Sequence, residues 1–565
     1  MNADSQSTAQ ANWAWGCAVA KTLVELGVEQ VVFSPGSRST PLVLGCENQN
    51  GLRTIPILDE RTASFFALGL GKQTGKPTAL ICTSGSAPTH WLPAVTEADH
   101  SGVPLLLLSA DRPPELQDCG AGQTINQIGL FGEFVRAFHP IPLPDESQKS
   151  IQELREIIVH AYSQSIGKNP GPVHLNFPFR EPLVSEDKEQ LEIDLPAIAA
   201  PTPPSQDAVP SRANGILEKL GSGKRLLVIA GEQAPLETFS KWDHPQSPPI
   251  LCDSLSPLRE APSPTRILRF ENLLRSKSFR QKARPDAILQ LGPLPTSKTL
   301  RKWIEEREIP RVVIEPRGKN VDPLASPSSS FDLDYPVISS LDFPEGEKGW
   351  SDRWVRSEEQ IESKLDLFLS DENDWFEGKL SRILSTHLPK ASLLHVANSM
   401  PIRDIEWFWK GSALARTLSG NRGVNGIDGT LGTALGIAHD SKDPSFLLTG
   451  ELAFLHDSNA LLASRHFSGS LTVFLVNNQG GGIFENLSVA GLPAFEKCFA
   501  TPQDCNFKLL CEAHGVEHVL PVDWKSLIEL IESDPPSGIR VIEIRTDRKK
   551  DRDTRLKLLS LGPEA

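Results

Sequence analysis

Short apolar runs rich in branched residues recur along the chain and alternate with longer amphipathic stretches. A continuous apolar run bounded by polar turns predicts a strand buried on both faces, and the amphipathic stretches predict helices that cover the sheet. The clearest predicted strands span residues 28–35, 78–84, 103–111, 225–231, 286–292, 311–317, 445–450, 471–478 and 540–547. Because buried strands that alternate with helices form parallel sheets, the pattern predicts an α/β protein with doubly wound, mainly parallel sheets.

Two stretches rich in proline and small polar residues, 195–213 and 321–348, interrupt this alternation. Proline lacks the backbone N–H that helix interiors and central strands use, so we expect joints between domains there. A chain of 565 residues also suggests about three domains, at roughly 100–200 residues each. We therefore predict three α/β domains that span residues 1–194, 214–320 and 350–565.

The overall charge argues against a nucleic acid or an anionic membrane as partner. The chain carries 57 lysines and arginines against 71 aspartates and glutamates, which gives a formal net charge of −14. A chain with this balance is not expected to present the broad basic surface that such partners need. A small anionic ligand, held in a pocket by a few arginines and lysines, is the better expectation.

Cysteine usage and the N-terminal segment predict a soluble, cytoplasmic protein. The eight cysteines include no C-x-x-C pair, so neither a zinc ribbon nor a disulfide scaffold is indicated. The segment MNADSQSTAQANW is polar and lacks the apolar core of a signal peptide. The apolar runs are also much shorter than the ~20 residues that a membrane-spanning helix needs.

Turns rich in glycine and serine follow predicted strands in the first and last thirds of the chain, at 34–42, 83–88, 109–116, 449–457 and 477–487. A single turn of this kind is more often a plain tight turn than a ligand site. Open parallel sheets, however, bind ligands outside the carboxyl ends of their strands. Several such turns together therefore indicate a ligand site in these two parts of the chain.

Two of these turns carry side chains that could supply oxygen ligands to a divalent cation. Glu451 follows the predicted strand 445–450, and Asn478 ends the predicted strand 471–478. A hard cation such as Mg²⁺ prefers carboxylate, amide and backbone carbonyl oxygens, together with phosphate oxygens of its ligand. The glycines at 480–482 allow the close backbone approach that a main-chain carbonyl ligand requires.

The glycine-acid pair at Gly450-Glu451, followed downstream by Asn477-Asn478, resembles the metal–diphosphate motif of the thiamine diphosphate enzymes. One branch of that family is similar to this chain through all three predicted domains. The motifs that carry the resemblance are SPGSRSTPL, DERTASFFALGLGK, ADRPPELQDCGAGQTINQ, TSK, NSMPIRDIEWF, NRGVNGIDG and NNQGGGIFENL. The resemblance implies three domains of the thiamine diphosphate-enzyme type. It also implies an enzyme that decarboxylates 2-oxoglutarate and adds the remaining succinyl carbanion to isochorismate, in menaquinone and phylloquinone biosynthesis.

The same resemblance implies roles in binding thiamine diphosphate and Mg²⁺ or Mn²⁺. Glu60 takes the place of the carboxylate that activates the cofactor, although on spacing alone an acid that favours a helix N-terminus is the more ordinary explanation. Cofactor contacts are implied for Gly450, Gly481, Ile483 and Phe484, and cation ligands for Glu451, Asn478 and Gly480. The family normally has Asp where this chain has Glu451, and the extra methylene moves the carboxylate by about 1.5 Å.

Both substrates carry two carboxylates, which suits arginine and lysine as binding residues. An isolated arginine in an acidic protein usually forms a surface ion pair, but here each candidate lies in a matching motif. The resemblance implies substrate contacts for Ser37, Arg38, Arg112, Gln123, Lys298, Ser399, Arg403, Arg422, Phe484 and Leu487. We expect Ser399, Arg403 and Arg422 near the succinyl end. Isochorismate is expected near Arg38, Arg112, Gln123 and Lys298.

In this family the site forms between two subunits, so the resemblance implies a homodimer or a dimer of dimers. Glu60 and Glu451 of one site would then come from different chains. Two alternatives remain open from the residues: another 2-oxoacid decarboxylase or carboligase of the superfamily, and a degenerate homologue without catalytic activity. Only the Glu451 departure supports the second alternative.

Overall fold

The computed structural model describes residues 3–184, 209–221, 223–306 and 308–564. These residues form three sheets of six strands each, and every strand pairing within the sheets is parallel. The predicted fold class, α/β with three doubly wound, mainly parallel-sheet domains, is confirmed. No helix in the described part of the chain is long and apolar enough to cross a bilayer.

Each strand predicted from an apolar run is present, and further strands complete the sheets. The strands are β1 (Gln30–Phe33), β2 (Arg53–Pro56), β3 (Thr78–Cys82), β4 (Leu105–Asp111), β5 (Phe138–Pro140), β6 (Pro172–Pro178), β7 (Leu226–Ala230), β8 (Ile250–Cys252), β9 (Arg266–Ile267), β10 (Ala287–Leu291), β11 (Arg311–Ile314), β12 (Ser329–Phe331), β13 (Leu393–Val396), β14 (Thr417–Ser419), β15 (Ser445–Gly450), β16 (Ser470–Asn477), β17 (Glu517–Val519) and β18 (Gly538–Arg545).

Helices cover the faces of the three sheets, as the amphipathic stretches predict. They are α1 (Ala3–Glu25), α2 (Thr40–Glu47), α3 (Glu60–Thr74), α4 (Leu92–Ser101), α5 (Gln148–Ser165), α6 (Val209–Leu220), α7 (Phe270–Arg275), α8 (Lys277–Lys282), α9 (Lys298–Glu305), α10 (Trp350–Asp371), α11 (Glu377–His387), α12 (Met400–Phe408), α13 (Thr430–Ala438), α14 (Glu451–His456), α15 (Phe507–Ala513), α16 (Trp524–Glu532) and α17 (Arg548–Leu559).

The first and third sheets share one topology. Their strand orders are β2-β1-β3-β4-β6-β5 and β14-β13-β15-β16-β18-β17, which is the same order when each sheet is numbered from its own first strand. The middle sheet has the different order β12-β11-β10-β7-β8-β9. In the first and third sheets, the second strand lies on one side of the first strand and the third strand lies on the other side. A doubly wound sheet binds its ligands where the strand order reverses in this way.

The structure describes the first of the two predicted joints only in part. Residues 195–208 of the first predicted joint lie outside the described part of the chain. The second joint, 321–348, contributes β12, whose Ser329–Phe331 pair with β11 at the edge of the middle sheet. The limits 1–194, 214–320 and 350–565 remain predictions.

The first and third domains pack against each other through α3 and α13. A β-carbon added at Gly69 would lie 2.2 Å from the backbone oxygen of Thr433, and one added at Gly436 would lie 2.1 Å from that of Phe66. The two helices therefore meet backbone to backbone, at a distance that only glycine permits. This contact anchors α3, whose first residue is Glu60, against the third domain of the same chain.

Candidate functional site

A cavity of about 520 Å³ opens at the carboxyl ends of β13, β15 and β16. These three strands are neighbours in the third sheet, so the residues that follow them meet at one edge. The cavity brings together all of the site residues predicted in the second and third domains, namely Lys298, Ser399, Arg403, Arg422, Gly450, Glu451, Asn478, Gly480, Gly481, Ile483, Phe484 and Leu487. The predicted residues of the first domain do not line it.

Glu451 and Gly480 are in direct contact at the base of this cavity. Glu451 is the first residue of α14 and is only 2 % exposed. Its Oε1 accepts a hydrogen bond of 2.5 Å from the backbone N–H of Gly480. Burial raises the pKa of the Glu451 carboxyl to about 7, so nearby positive charge would favour its ionised form. Gly480 has φ 138°, and an added β-carbon would lie 2.6 Å from the backbone oxygen of Ala500, so glycine is required here.

Asn478 lines the same cavity. Its Nδ2 donates a 2.7 Å hydrogen bond to Oε1 of Glu377. Its Oδ1 is buried and has no hydrogen-bond partner among the described residues. Because a buried polar atom without a partner is costly, such an oxygen indicates a missing ligand.

These residues fit a divalent cation. Glu451 and Asn478 offer a carboxylate and an amide oxygen, and Gly480 offers a backbone carbonyl, which are the hard ligands that Mg²⁺ or Mn²⁺ prefers. The described residues contain no group of three His, Cys, Asp or Glu side chains placed to hold a metal. The remaining ligands of a cation here would come from a bound group such as a diphosphate, which suits thiamine diphosphate.

The cationic wall of the cavity is built by α9, α12 and the loop after β14. Ser399 ends the turn before α12 with φ 72° and ψ −126°, a backbone conformation that is strained for a residue with a side chain. A guanidinium N–H of Arg403 donates to the backbone oxygen of Ser399, and one of Arg422 donates to Oδ1 of Asn398. Burial lowers the pKa of Arg403. Lys298 is the exposed first residue of α9 and forms no ion pair within the described residues.

The predicted residues of the first domain form a second cluster, at the carboxyl ends of β1, β3 and β4. Arg38 is 4 % exposed and donates to the backbone oxygen of Phe179 at 2.8 Å. Arg112 donates to Oγ of Ser84 at 3.0 Å, and Nε2 of Gln123 donates to the Ser84 backbone oxygen at 3.1 Å. Burial and the charge of Arg112 lower the pKa of Arg38.

Two further predicted residues lie at the same edge of the first sheet. Ser37 is exposed next to Arg38. Glu60 is half-buried as the first residue of α3, whose cap is supplied by Asp59 through a 3.0 Å hydrogen bond from the Thr62 N–H. Glu60 is thus not needed as the cap. Within one chain it lies outside the cavity that contains Glu451, so its role stays a prediction.

Sequence reasoning missed several residues that line the cavity, notably Thr296, Arg301, Asn398 and Asn425. The helical period could have predicted that Arg301 lies beside Lys298, because it follows Lys298 by one helical turn on α9. It donates to the backbone oxygens of Pro295 and Leu294. Asn398 carried no such signal, because its role depends on contacts with a distant loop.

Comparison with known proteins defines the class first. Residues 15–130 match the family described as "Thiamine pyrophosphate enzyme, N-terminal TPP binding domain". This segment contains β1 to β4 and the cluster around Arg38 and Arg112. The chain is therefore a thiamine diphosphate enzyme.

Full-length relatives then define the family within that class. The chain is 40 % identical to the 2-succinyl-5-enolpyruvyl-6-hydroxy-3-cyclohexene-1-carboxylate synthase of Gloeothece citriformis (strain PCC 7424), over 96 % of each protein. It is 40 % identical to the protein of that name from Synechococcus sp. (strain JA-3-3Ab), over 96 % of this chain and 94 % of the relative. It is 38 % identical to the protein of that name from Trichodesmium erythraeum (strain IMS101), over 96 % of this chain and 97 % of the relative. The chain belongs to the 2-succinyl-5-enolpyruvyl-6-hydroxy-3-cyclohexene-1-carboxylate synthase family.

Proposed function

We propose that the chain is a thiamine diphosphate-dependent transferase that forms a C–C bond between 2-oxoglutarate and isochorismate. One carboxylate of 2-oxoglutarate leaves as CO₂, and the succinyl fragment adds to the isochorismate ring. The product is 2-succinyl-5-enolpyruvyl-6-hydroxy-3-cyclohexene-1-carboxylate, an intermediate of menaquinone and phylloquinone biosynthesis. Full-length similarity to synthases of that name supports the reaction. The convergence of Glu451, Asn478 and the arginines on one cavity carries the proposal structurally.

The base of the cavity would hold the cofactor. Glu451, the Asn478 amide oxygen and the Gly480 carbonyl would bind a cation, and that cation would neutralise the diphosphate. Ile483 and Phe484 follow this turn and line the cavity beside it. When bound, thiamine diphosphate supplies an electron sink that allows a 2-oxoacid to lose CO₂ and its remaining carbons to attack an acceptor.

The residues of the cavity wall would bind the carboxylates and limit access of water. Arg403 and Arg422 would orient the carboxylate that remains after decarboxylation, since a guanidinium matches a carboxylate with two parallel hydrogen bonds. Lys298, without an ion-pair partner in the described residues, would supply a point charge for the acceptor. Apolar contact with Ile483, Phe484 and Leu487 would keep water from protonating the reactive carbon, which would release succinic semialdehyde.

We further propose that each site is completed by a second copy of the chain. Glu60, Arg38, Arg112 and Gln123 lie outside the cavity of their own chain, although the resemblance assigns them to the same site. A homodimer or a dimer of dimers would bring the first-domain cluster of one subunit to the cavity of its partner. A cytoplasmic location also remains a prediction from the sequence.

One turnover experiment tests the proposed reaction. The protein is incubated with thiamine diphosphate, Mg²⁺, 2-oxoglutarate and isochorismate, and both CO₂ and organic products are measured. Release of CO₂ together with the joined product supports the proposal. Release of CO₂ with only an aldehyde or another ketol would indicate a different carboligase of the superfamily. The absence of turnover, with cofactor bound, would indicate a degenerate homologue.

A further inference from the structure

The loop that carries Arg422 is held by two side chains of the first domain. This loop, residues 420–424, follows β14 in the third domain and places Arg422 at the cavity. Glu97 on α4 and Lys72 on α3 bind its backbone on either side of Arg422.

Glu97 binds two consecutive backbone amides of the loop. Its Oε1 accepts from the N–H of Gly423 at 2.9 Å, and its Oε2 accepts from the N–H of Val424, also at 2.9 Å. The residue is 1 % exposed, so these charge-assisted hydrogen bonds are shielded from water and strong. A β-carbon added at Gly423 would lie 2.8 Å from the backbone oxygen of Glu97, which means that the loop is pressed against α4.

Lys72 holds the other side of the loop and balances the buried charge. Its Nζ donates to the backbone oxygen of Gly420 at 2.6 Å and lies 3.6 Å from Oε1 of Glu97. Charge pairing makes the burial of the Glu97 carboxylate acceptable, because an unpaired buried carboxylate would be strongly destabilising. The two side chains therefore act as one brace across the domain boundary.

The brace leaves Arg422 with little freedom. Asn398 accepts a hydrogen bond from the Arg422 guanidinium. It also donates from Nδ2 to the backbone oxygens of Asn421 at 2.7 Å and Gly426 at 2.6 Å. The guanidinium is thus fixed from inside the third domain, and its backbone is fixed from the first. Because a hydrogen bond weakens steeply when its geometry departs from the ideal, a displaced guanidinium would bind a substrate carboxylate less well.

We propose that Glu97, together with Lys72, is a positioning residue that sets the Arg422 guanidinium for binding an anionic substrate. The inference rests on the proposed function, since it takes Arg422 as a carboxylate contact. The first domain thus contributes to catalysis in two ways. Its cluster around Arg38 and Arg112 would complete the site of a partner subunit, and its Glu97 and Lys72 would position Arg422 in the cavity of its own subunit.

The Glu97→Gln variant removes one of the two amide contacts while it keeps the size of the side chain. The lost hydrogen bond to a charged group predicts a KM for 2-oxoglutarate that is raised about tenfold, with kcat within about threefold of wild type. Lys72→Met, at a partly exposed position, is expected to change KM in the same direction. Glu358→Gln is the matched control, because Glu358 also binds two consecutive backbone amides, those of Leu268 and Arg269 at 2.7 and 2.9 Å, but is not among the residues that line the cavity.

The test compares KM and kcat for 2-oxoglutarate in these variants, in Arg422→Lys and in the Glu97→Gln/Arg422→Lys pair. A raised KM in Glu97→Gln, an unchanged KM in Glu358→Gln, and a double variant no worse than Arg422→Lys alone would support the inference. If Arg422→Lys raises KM but neither Glu97→Gln nor Lys72→Met does, the inference is wrong and the proposed function stands. Multiplied effects in the double variant would also overturn it, because Glu97 would then act independently of Arg422. If Arg422→Lys leaves KM unchanged, the assignment of Arg422 in the proposed function fails first.

Discussion

Arg555 and Glu377 form an ion pair in which both side chains are almost completely buried, at 2 % and 3 % exposure. The same Glu377 carboxylate accepts from Nδ2 of Asn478 at 2.7 Å and from Oγ1 of Thr546 at 3.1 Å. An ionised carboxylate can only accept hydrogen bonds, so it forces the amide nitrogen of Asn478 toward itself and the amide oxygen toward the cavity. The orientation of a predicted cation ligand is therefore set by a residue outside the predicted site.

Glu377→Gln is expected to weaken cation binding. A glutamine amide can donate as well as accept, so it no longer dictates which way Asn478 points, and loss of such a supporting contact typically costs about 10–100-fold in metal affinity. Binding of Mn²⁺ in the presence of thiamine diphosphate, followed by electron paramagnetic resonance, measures the effect directly. Glu543→Gln is the control, because Glu543 accepts from the neighbouring Asn477 in the same manner, at 2.8 Å. Equal losses in the two variants would contradict the orienting role of Glu377.

Glu451→Ala is expected to abolish retention of thiamine diphosphate, because the cation that neutralises the diphosphate would lose its only carboxylate ligand among the proposed three. Titration calorimetry with Mg²⁺ and thiamine diphosphate measures this, with Glu512→Ala at an exposed position as the control. Normal cofactor affinity in Glu451→Ala would remove Glu451 from the site. Glu451→Asp, which restores the residue usual in the family, is expected to retain the cofactor.

The sequence was most informative for site residues that lie at the end of a predicted strand or directly follow it. Glu451 and Asn478 each follow a long apolar run, so the pattern that predicts the strand also places the side chain at the carboxyl edge of the sheet. The edge strands β14 and β17 were not predicted, because each has three residues and a half-exposed, partly polar sequence rather than a continuous apolar run. The internal strands β6, β8 and β13 were not predicted either, although they are buried, so an apolar run identifies only part of each sheet.

The contacts that orient the site residues were not predictable from local pattern. Glu377 and Asn478 are separated by 101 positions, and Glu97 and Gly423 by 326. Such contacts depend on how distant parts of the chain pack together, which no short-range periodicity encodes. Glu97 in particular lies among ordinary helix residues of α4, and its role emerges only when the loop after β14 is placed against it.

Asp457 predicts a pH dependence of stability. Its Oδ2 accepts from the Gly432 N–H at 2.8 Å, and Oδ1 lies 3.7 Å from the Arg61 guanidinium. Burial outweighs both contacts and raises the pKa of Asp457 from 3.8 to about 7. The folded state then holds a proton that the unfolded chain releases, so this residue's contribution to stability falls as pH rises from about 4 to about 7.

Asp457→Asn cannot titrate and should remove that part of the pH dependence. Urea unfolding of both proteins at pH 5 and pH 8 gives the comparison, and the loss of unfolding free energy between the two pH values should be smaller in the variant. Asp243→Asn, at an exposed position, controls for the loss of an aspartate elsewhere. The same pH dependence in wild type and Asp457→Asn would show that the buried carboxyl stays ionised when folded.

Mixing two inactive variants tests whether each site is shared between subunits. Glu60→Gln removes the proposed activating carboxylate and Glu451→Ala removes the proposed cation ligand, so each homodimer should be inactive. If the two residues of one site come from different chains, a mixed dimer has one site with both substitutions and one with neither. Random pairing of equal amounts should then restore about one quarter of wild-type activity, because half of the dimers are mixed and half of their sites are intact.

The mixing is done by co-expression with two different affinity tags, so that the mixed dimer can be purified and assayed alone at about half of wild-type activity per dimer. Arg53→Ser, which changes an exposed side chain of the first domain, replaces Glu60→Gln in a control mixture with Glu451→Ala. This control should show activity without any need for complementation. If the purified mixed dimer of Glu60→Gln and Glu451→Ala has no activity, both residues serve a site within one chain. Activity of the wild-type protein in a fraction that sediments as a monomer would lead to the same conclusion.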